Sequence, residues 1–124
     1  MILGVEHIAI ASINPHKLAD WYVGILEFKI FSTADTAVFI QAPNRTLFEI
    51  FSANNQQAEP GQKDTGLRHI AIAVDNFEAA YARLREAGIR FETEPYEASG
   101  NTVAFFRDPD GNLLHLLFRP SPIL

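Results

Sequence analysis

The sequence contains no cysteine among its 124 residues, which excludes a disulfide framework, a thiolate metal site and a cysteine nucleophile. Basic residues are also few, because 10 lysines and arginines face 15 acidic residues and leave a net charge of −5. Such a chain lacks the basic surface that nucleic-acid phosphates require. No apolar run approaches the roughly 20 residues of a membrane span, and no basic segment precedes the apolar N-terminus. We therefore expect a cytoplasmic protein that binds neither nucleic acid nor membranes.

A repeated pentapeptide is the most informative feature that is present. His-Ile-Ala-Ile-Ala occurs at 7–11 and again at 69–73. The surrounding similarity divides the chain into two modules, residues 2–52 and 66–118, with a polar linker at 53–65 that contains a Pro-Gly break. Because 48% of the residues are hydrophobic and ten are phenylalanine, we expect one domain over 1–124 with a substantial core.

Each module shows the same order of predicted elements. The pentapeptide alternates as a strand does, with histidine and alanines on one face and isoleucines on the other. Asn14 followed by Pro15 predicts the start of a helix, and Asp75 or Asn76 does so in the second module. Three strands are predicted after each helix, at about 28–33, 36–42 and 46–52 and at about 89–94, 102–107 and 112–118. The prediction is an α+β fold in which βαβββ occurs twice.

Four polar residues lie in these apolar strands at two equivalent pairs of positions. They head or interrupt the first and last strand of each module: His7, Glu49, His69 and His115. A lone histidine in a strand is more often a hydrogen-bonded core or edge residue, and a lone glutamate is more often solvated. The repeated arrangement instead favours a shared metal site, because three imidazoles and one carboxylate suit zinc, nickel, iron(II), cobalt or manganese.

The segment Asp108-Pro109-Asp110-Gly111-Asn112 carries a second group of oxygen ligands. Its aspartates and asparagine are residue types that bind calcium. The spacing and the Pro and Gly residues fit a hairpin turn better, so we predict a turn before the last strand.

These features together resemble the vicinal oxygen chelate superfamily, which includes glyoxalase I, methylmalonyl-CoA epimerase, extradiol dioxygenases, fosfomycin resistance enzymes and bleomycin resistance proteins. The resemblance spans about residues 3–119 and rests on the paired modules, the strand-heading histidines, Glu49 and the turn at 108–112. It implies that the modules form a half-barrel around a divalent metal held by four ligands, which here are His7, Glu49, His69 and His115.

Two departures from the glyoxalase I pattern stand out. That pattern carries glutamate in the last strand, where this chain has His115. It also expects an arginine in the first strand for the glutathione carboxylate, where this chain has Ala9 and Ala11. Glutathione is therefore not favoured as a cosubstrate, and Glu49 remains the carboxylate able to act as ligand and base.

The function that the resemblance implies is that of a metal-dependent lyase or isomerase, glyoxalase-like, acting on a small molecule through a metal-stabilised enolate. Glu49 is the predicted catalytic residue, and the predicted substrate-binding residues are Phe39, Gln41, Phe105 and Arg107. Arg107 is equally well interpreted as a solvated residue near a turn. The alternatives are a non-catalytic protein that sequesters its ligand, as bleomycin resistance proteins do, and an iron(II) extradiol-type dioxygenase. Members with two modules often form homodimers, so we expect a homodimer.

Overall fold

A computed structural model describes residues 1–123 and divides the chain into two compact units, Met1–Ala58 and Glu59 onward. The first unit contains one helix and four strands, which occur in the predicted order. They are β1 (His7–Ser12), α1 (Pro15–Leu26), β2 (Lys29–Thr33), β3 (Ala37–Gln41) and β4 (Leu47–Ser52).

The second unit repeats this order. Its elements are β5 (His69–Ala73), α2 (Phe77–Glu86), β6 (Tyr96–Ala98), β7 (Asn101–Arg107) and β8 (Leu113–Phe118). The predicted α+β fold with two βαβββ modules is therefore confirmed.

The two sheets have the same topology. The strand orders are β1-β4-β3-β2 and β5-β8-β7-β6. In each unit the first strand is parallel to the last, and the other pairs are antiparallel. This topology places the strand that begins with a histidine directly beside the strand that carries Glu49 or His115.

Strand alternation sends one set of side chains towards the helix of the unit. In the first unit Val38, Ile40, Phe48 and Ile50 are buried on that side, and Tyr22 of α1 is fully buried with them. Burying one such side chain stabilises a fold by roughly 1.5–3 kcal/mol. The opposite face of the sheet is thereby left to the histidine and its neighbours.

Both helices begin as their sequences predict. The Asn14 side chain accepts a hydrogen bond from the Lys17 amide at 3.2 Å, and Pro15 is the first helical residue. Asn76, not Asp75, caps α2, because its side chain accepts from the Ala79 amide at 3.1 Å. Within residues 1–123 no helix is long and apolar enough to cross a membrane.

The strand predicted at 89–94 is wrong. The strand that pairs with β7 lies further along the chain, at Tyr96–Ala98. The earlier segment does lie against β7: the Glu92 amide donates to the Phe105 carbonyl at 2.7 Å, but the Phe105 amide donates to the Thr93 hydroxyl at 2.9 Å. A side-chain acceptor replaces the backbone carbonyl there, so no regular ladder forms despite the apolar alternation.

The segment 108–112 forms the predicted turn. Asp108 is buried, and its carboxylate accepts hydrogen bonds from the amides of Asp110 and Asn112 and from the Asn112 side chain, at 2.8–3.0 Å. Gly111 has φ +91°, a conformation that glycine adopts without strain. The Asp108 carboxylate therefore stabilises the turn that leads into β8.

Candidate metal centre

The first donor pair consists of His7 at the start of β1 and Glu49 in β4. Glu49 lies opposite Ala9 in the parallel register, two residues from His7, so both side chains project from the same face. The His7 Nε2 atom and the Glu49 Oε1 atom are 3.5 Å apart, and the side chains are 33% and 29% exposed. Two ligands of one tetrahedral ion with bonds of about 2.0–2.1 Å lie roughly 3.4 Å apart, so this pair fits a zinc-like ion.

A residue that the sequence analysis did not select contacts the other nitrogen of His7. The Glu6 Oε1 atom lies 2.9 Å from the His7 Nδ1 atom, within hydrogen-bond distance. The Glu6 side chain is 82% exposed and precedes the first residue of β1. In the sequence, the only indication of this contact is that a glutamate directly precedes His7. Adjacent side chains in a regular strand point to opposite faces, so strand geometry does not predict the contact.

The second donor pair is His69 in β5 and His115 in β8. His115 lies opposite Ala71, the position that corresponds to Glu49 opposite Ala9 in the first unit. The two imidazole centroids are 4.4 Å apart. The two rings are therefore direct neighbours within this unit, and their role as metal ligands stays a prediction.

His115 differs from the other three donors in its burial. Its relative exposure is 8%, and neither ring nitrogen has a hydrogen-bond partner among residues 1–123. Burial lowers the pKa of His115 from 6.5 to about 4, with smaller contributions from the nearby His69 and Arg119. A neutral buried imidazole with unpaired nitrogens is able to donate a lone pair to a metal, and leaving it unpaired is costly.

An aromatic side chain accompanies each donor pair at the same register position. Phe39 lies opposite Glu49 and packs edge-on against the His7 ring at 5.4 Å. Phe105 lies opposite His115 and packs edge-on against the His69 ring at 5.5 Å. The two predicted substrate-binding phenylalanines therefore adjoin the predicted metal ligands, one in each unit.

Alanines leave open surface beside the histidines. Ala9 and Ala11 in β1 are exposed, and so are Ala71 and Ala73 in β5, whereas Ile10 on the opposite face of β1 is buried. The isoleucines are less covered than predicted, because Ile8 is 39% exposed and Ile70 and Ile72 are only half-buried. Small side chains on the alanine face leave room for a ligand beside the donors.

The other two predicted substrate-binding residues have partners within their own units. The Gln41 amide donates to the Arg45 carbonyl at 3.4 Å. The Arg107 guanidinium is paired with Glu92 and donates to the carbonyls of Gly111 and Pro60 at 2.9 and 3.0 Å. Arg107 thus ties the segment before β5 to the end of β7, and its role as a substrate-binding residue stays a prediction.

The structure brings the predicted ligands together in two pairs, one in each unit. No group of three or more histidine, aspartate or glutamate side chains within residues 1–123 is arranged to hold a metal ion. Each pair nevertheless offers what a metal requires: a nitrogen–oxygen separation suited to two ligands in one case, and unpaired imidazole nitrogens in the other. The four-ligand set stays a prediction.

Fold and donors together define a class of protein: two βαβββ modules, each with a histidine at the head of its first strand beside a second donor in its last strand. Comparison with known families agrees with this description. The profile of the Glyoxalase/Bleomycin resistance protein/Dioxygenase superfamily matches residues 4–116. The chain belongs to this superfamily.

Individual relatives cover nearly the whole chain. An uncharacterized Escherichia coli protein, YaeR, is 32% identical over 90% of this chain and 93% of its own length. The metallothiol transferase FosB of Shouchella clausii is 28% identical over 94% of this chain and 80% of its own. The crystal structure of a glyoxalase family protein from Enterococcus faecalis has a TM-score of 0.77 and 28% identity, covering 93% of this chain and 97% of that chain.

Proposed function

We propose that this protein is a divalent-metal-dependent enzyme that acts, as a lyase or isomerase, on a small molecule with two neighbouring oxygen atoms. The observation that carries the proposal is that the ring nitrogens of buried His115, at the position equivalent to Glu49, have no hydrogen-bond partner within residues 1–123. Apolar surroundings make an unpaired polar group unfavourable by about 1–3 kcal/mol. Such an imidazole is well explained as a metal ligand, and the similarity to a metallothiol transferase supports divalent-metal use.

In this proposal His7, Glu49, His69 and His115 are the ligands, within one chain or across two. The bound ion, whose identity among zinc, nickel, iron, cobalt and manganese is open, would supply a Lewis acid that polarises a carbonyl oxygen. Cysteine is absent, so all ligands are imidazole nitrogen or carboxylate oxygen.

Glu49 is the residue proposed to move the proton. Its carboxylate is partly buried, and its Oε1 atom lies beside the His7 Nε2 atom. From that place it would accept a proton from the carbon next to the carbonyl and return it to another carbon or oxygen of the same substrate. Phe39 and Phe105 would line the substrate site beside the histidines.

Metal binding tests the first part of the proposal. The protein is purified without an affinity tag, and its metal content is measured by elemental analysis. We expect one transition-metal ion per chain and a higher melting temperature after zinc or cobalt is added. Absence of both would remove the basis of the proposal.

Two variants test the ligands themselves. Glu49→Gln and His115→Ala should each weaken zinc binding by more than the roughly 10–100-fold typical of losing an outer-shell partner, whereas replacing the exposed Glu94 by glutamine should leave affinity unchanged. Equal affinity in all three variants would show that the last strands do not bind the metal.

Turnover separates the proposed reaction from its alternatives. Methylglyoxal is assayed with and without glutathione, and catechols are assayed by oxygen consumption with iron(II). Isomerisation or lyase chemistry that requires both metal and Glu49 supports the proposal. Oxygen consumption favours the dioxygenase alternative, and tight ligand binding without turnover favours the sequestering protein.

A further inference from the structure

We infer that Glu6 is a positioning residue that fixes the tautomer of His7, so that Nε2 is the atom available to a metal. The inference rests on the proposed function for the identity of the ligand. It goes beyond that function by assigning a role to a carboxylate outside the predicted ligand set.

The first step concerns which nitrogen of His7 carries the proton. The Glu6 Oε1 atom lies 2.9 Å from Nδ1, whereas the Glu49 Oε1 atom lies 3.5 Å from Nε2, at the outer limit of hydrogen bonding. A carboxylate only accepts hydrogen bonds, so the shorter contact is a hydrogen bond when Nδ1 carries the proton, and it favours that tautomer. The neutral ring then presents its lone pair on Nε2.

The second step concerns what lies on the Nε2 side. That nitrogen faces Glu49, and their separation suits two ligands of one ion. The Phe39 ring packs against the imidazole in a T-shaped arrangement, with ring centroids 5.4 Å apart. Nδ1 held by Glu6 and Nε2 aimed at Glu49 form the arrangement in which an outer carboxylate orients a histidine ligand and raises its basicity.

The third step explains how Glu6 reaches His7 at all. Side chains of adjacent residues in a strand point to opposite faces. Glu6 precedes β1, and Gly4 two residues earlier has φ +121°, a conformation outside the strand region. The chain is therefore irregular up to Glu6, and its side chain is able to fold back onto the neighbouring ring.

The second module has no carboxylate directly before its histidine. Arg68 occupies the position before His69, and its guanidinium donates to the carbonyls of Gly61 and Gly66 at 3.2 and 3.4 Å. An arginine side chain has no acceptor atom and cannot accept a hydrogen bond from the Nδ1–H of a histidine. The carboxylate–histidine pair is therefore specific to the module that contains Glu49.

The decisive experiment measures the tautomer in the metal-free full-length protein. Ring ¹⁵N NMR spectra are recorded at pH 8, and the His7 signals are assigned with His7→Asn. We expect His7 to carry its proton on Nδ1 in the native protein. In Glu6→Ala the signals should move towards the mixture of free histidine, and in Glu94→Ala, a variant of another exposed glutamate, they should not.

Glu6→Gln sharpens the test, because an amide is able to accept from Nδ1–H or donate to Nδ1 and so does not impose one tautomer. Zinc affinity gives the second readout: we expect about a 10-fold loss in Glu6→Ala, at the lower end for an outer-shell partner because the carboxylate is exposed. A proton on Nε2 in the native protein, or a tautomer unchanged in Glu6→Ala, would overturn the inference. Failure of the proposed function appears separately, as absence of zinc binding in the native protein whatever the tautomer.

Discussion

His115 provides the sharpest prediction about stability, because its burial should make the metal-free protein sensitive to acid. The perturbation is His115→Leu, which replaces the imidazole by an apolar side chain like those around it in β8. We expect this variant, without metal, to be more stable than the native chain. The gain should grow as the pH falls.

The magnitude has two parts. At pH 8 the imidazole is neutral in both folded and unfolded chains, and its unpaired ring N–H costs the native fold about 1–3 kcal/mol that leucine does not incur. At lower pH a second part appears, because the pKa is 6.5 in the unfolded chain and about 4 in the folded one. The unfolded chain then binds a proton that the folded chain does not, so native stability falls between pH 6.5 and about 4. The loss reaches roughly 2 kcal/mol at pH 5 and roughly 3 kcal/mol when both states are protonated.

Urea unfolding with excess chelator measures this effect. Free energies of unfolding are compared at pH 8, 7, 6 and 5 for the native chain, His115→Leu and the control His16→Gln, which replaces an exposed histidine near the start of α1. We expect the control to keep the native pH dependence of the unfolding free energy. His115→Leu should lose the decrease in unfolding free energy that the native chain shows between pH 7 and pH 5. Parallel curves for His115→Leu and the native chain would refute the assignment of the lowered pKa to buried His115.

Three further predictions follow from other features. Asp108→Ala should lower the free energy of unfolding by about 2–4 kcal/mol, measured by urea titration, because two backbone amides and the Asn112 side chain lose a buried acceptor; a loss below 1 kcal/mol would contradict this account. Asn76→Ala should cost about 1 kcal/mol through loss of the α2 cap, and Asn76→Asp should restore most of it; equal stability of the two variants would speak against the cap. We also propose a homodimer, supported by the exposed apolar side chains of Met1, Ile2, Leu3 and Val5. Light scattering should give twice the chain mass, with Leu3→Glu weakening association, and a monomer at all concentrations would exclude it.

Features that depend on neighbouring residues were predictable from the sequence. The alternation of the pentapeptide, the asparagine caps and the turn at 108–112 each involve contacts over a few residues. Their physical causes, strand geometry and side-chain acceptors for backbone amides, are local. The repeat then extended these local predictions into a two-module fold without any knowledge of long-range contacts.

The location of β6 was not predictable from such local contacts. Tyr96–Ala98 lies opposite residues 101–103 of β7, Glu92 and Thr93 lie against Phe105 further along the same strand, and apolar alternation had favoured a strand at 89–94. The outcome depended on the Thr93 hydroxyl reaching the Phe105 amide, a contact across 12 residues of sequence. The pattern of hydrophobic residues does not indicate which oxygen atom accepts the hydrogen bond of the Phe105 amide.

The sequence by itself determined the two modules and the residue types of the four donors, and the tertiary structure decided that the first and last strands of each module pair and bring two donors side by side. Only the tertiary structure decided the environment of each donor: His115 buried with unpaired nitrogens, His7 partly exposed between Glu6 and Glu49, and Arg107 engaged by Glu92 and two carbonyls. Burial of His115 and the contact of His7 with Glu49 involve residues distant in the chain, and the contact of His7 with its neighbour Glu6 depends on the irregular backbone before β1. Burial sets the pKa of a histidine, and its hydrogen-bond partners set its tautomer. Identical pentapeptides therefore begin two donor pairs whose chemistry differs.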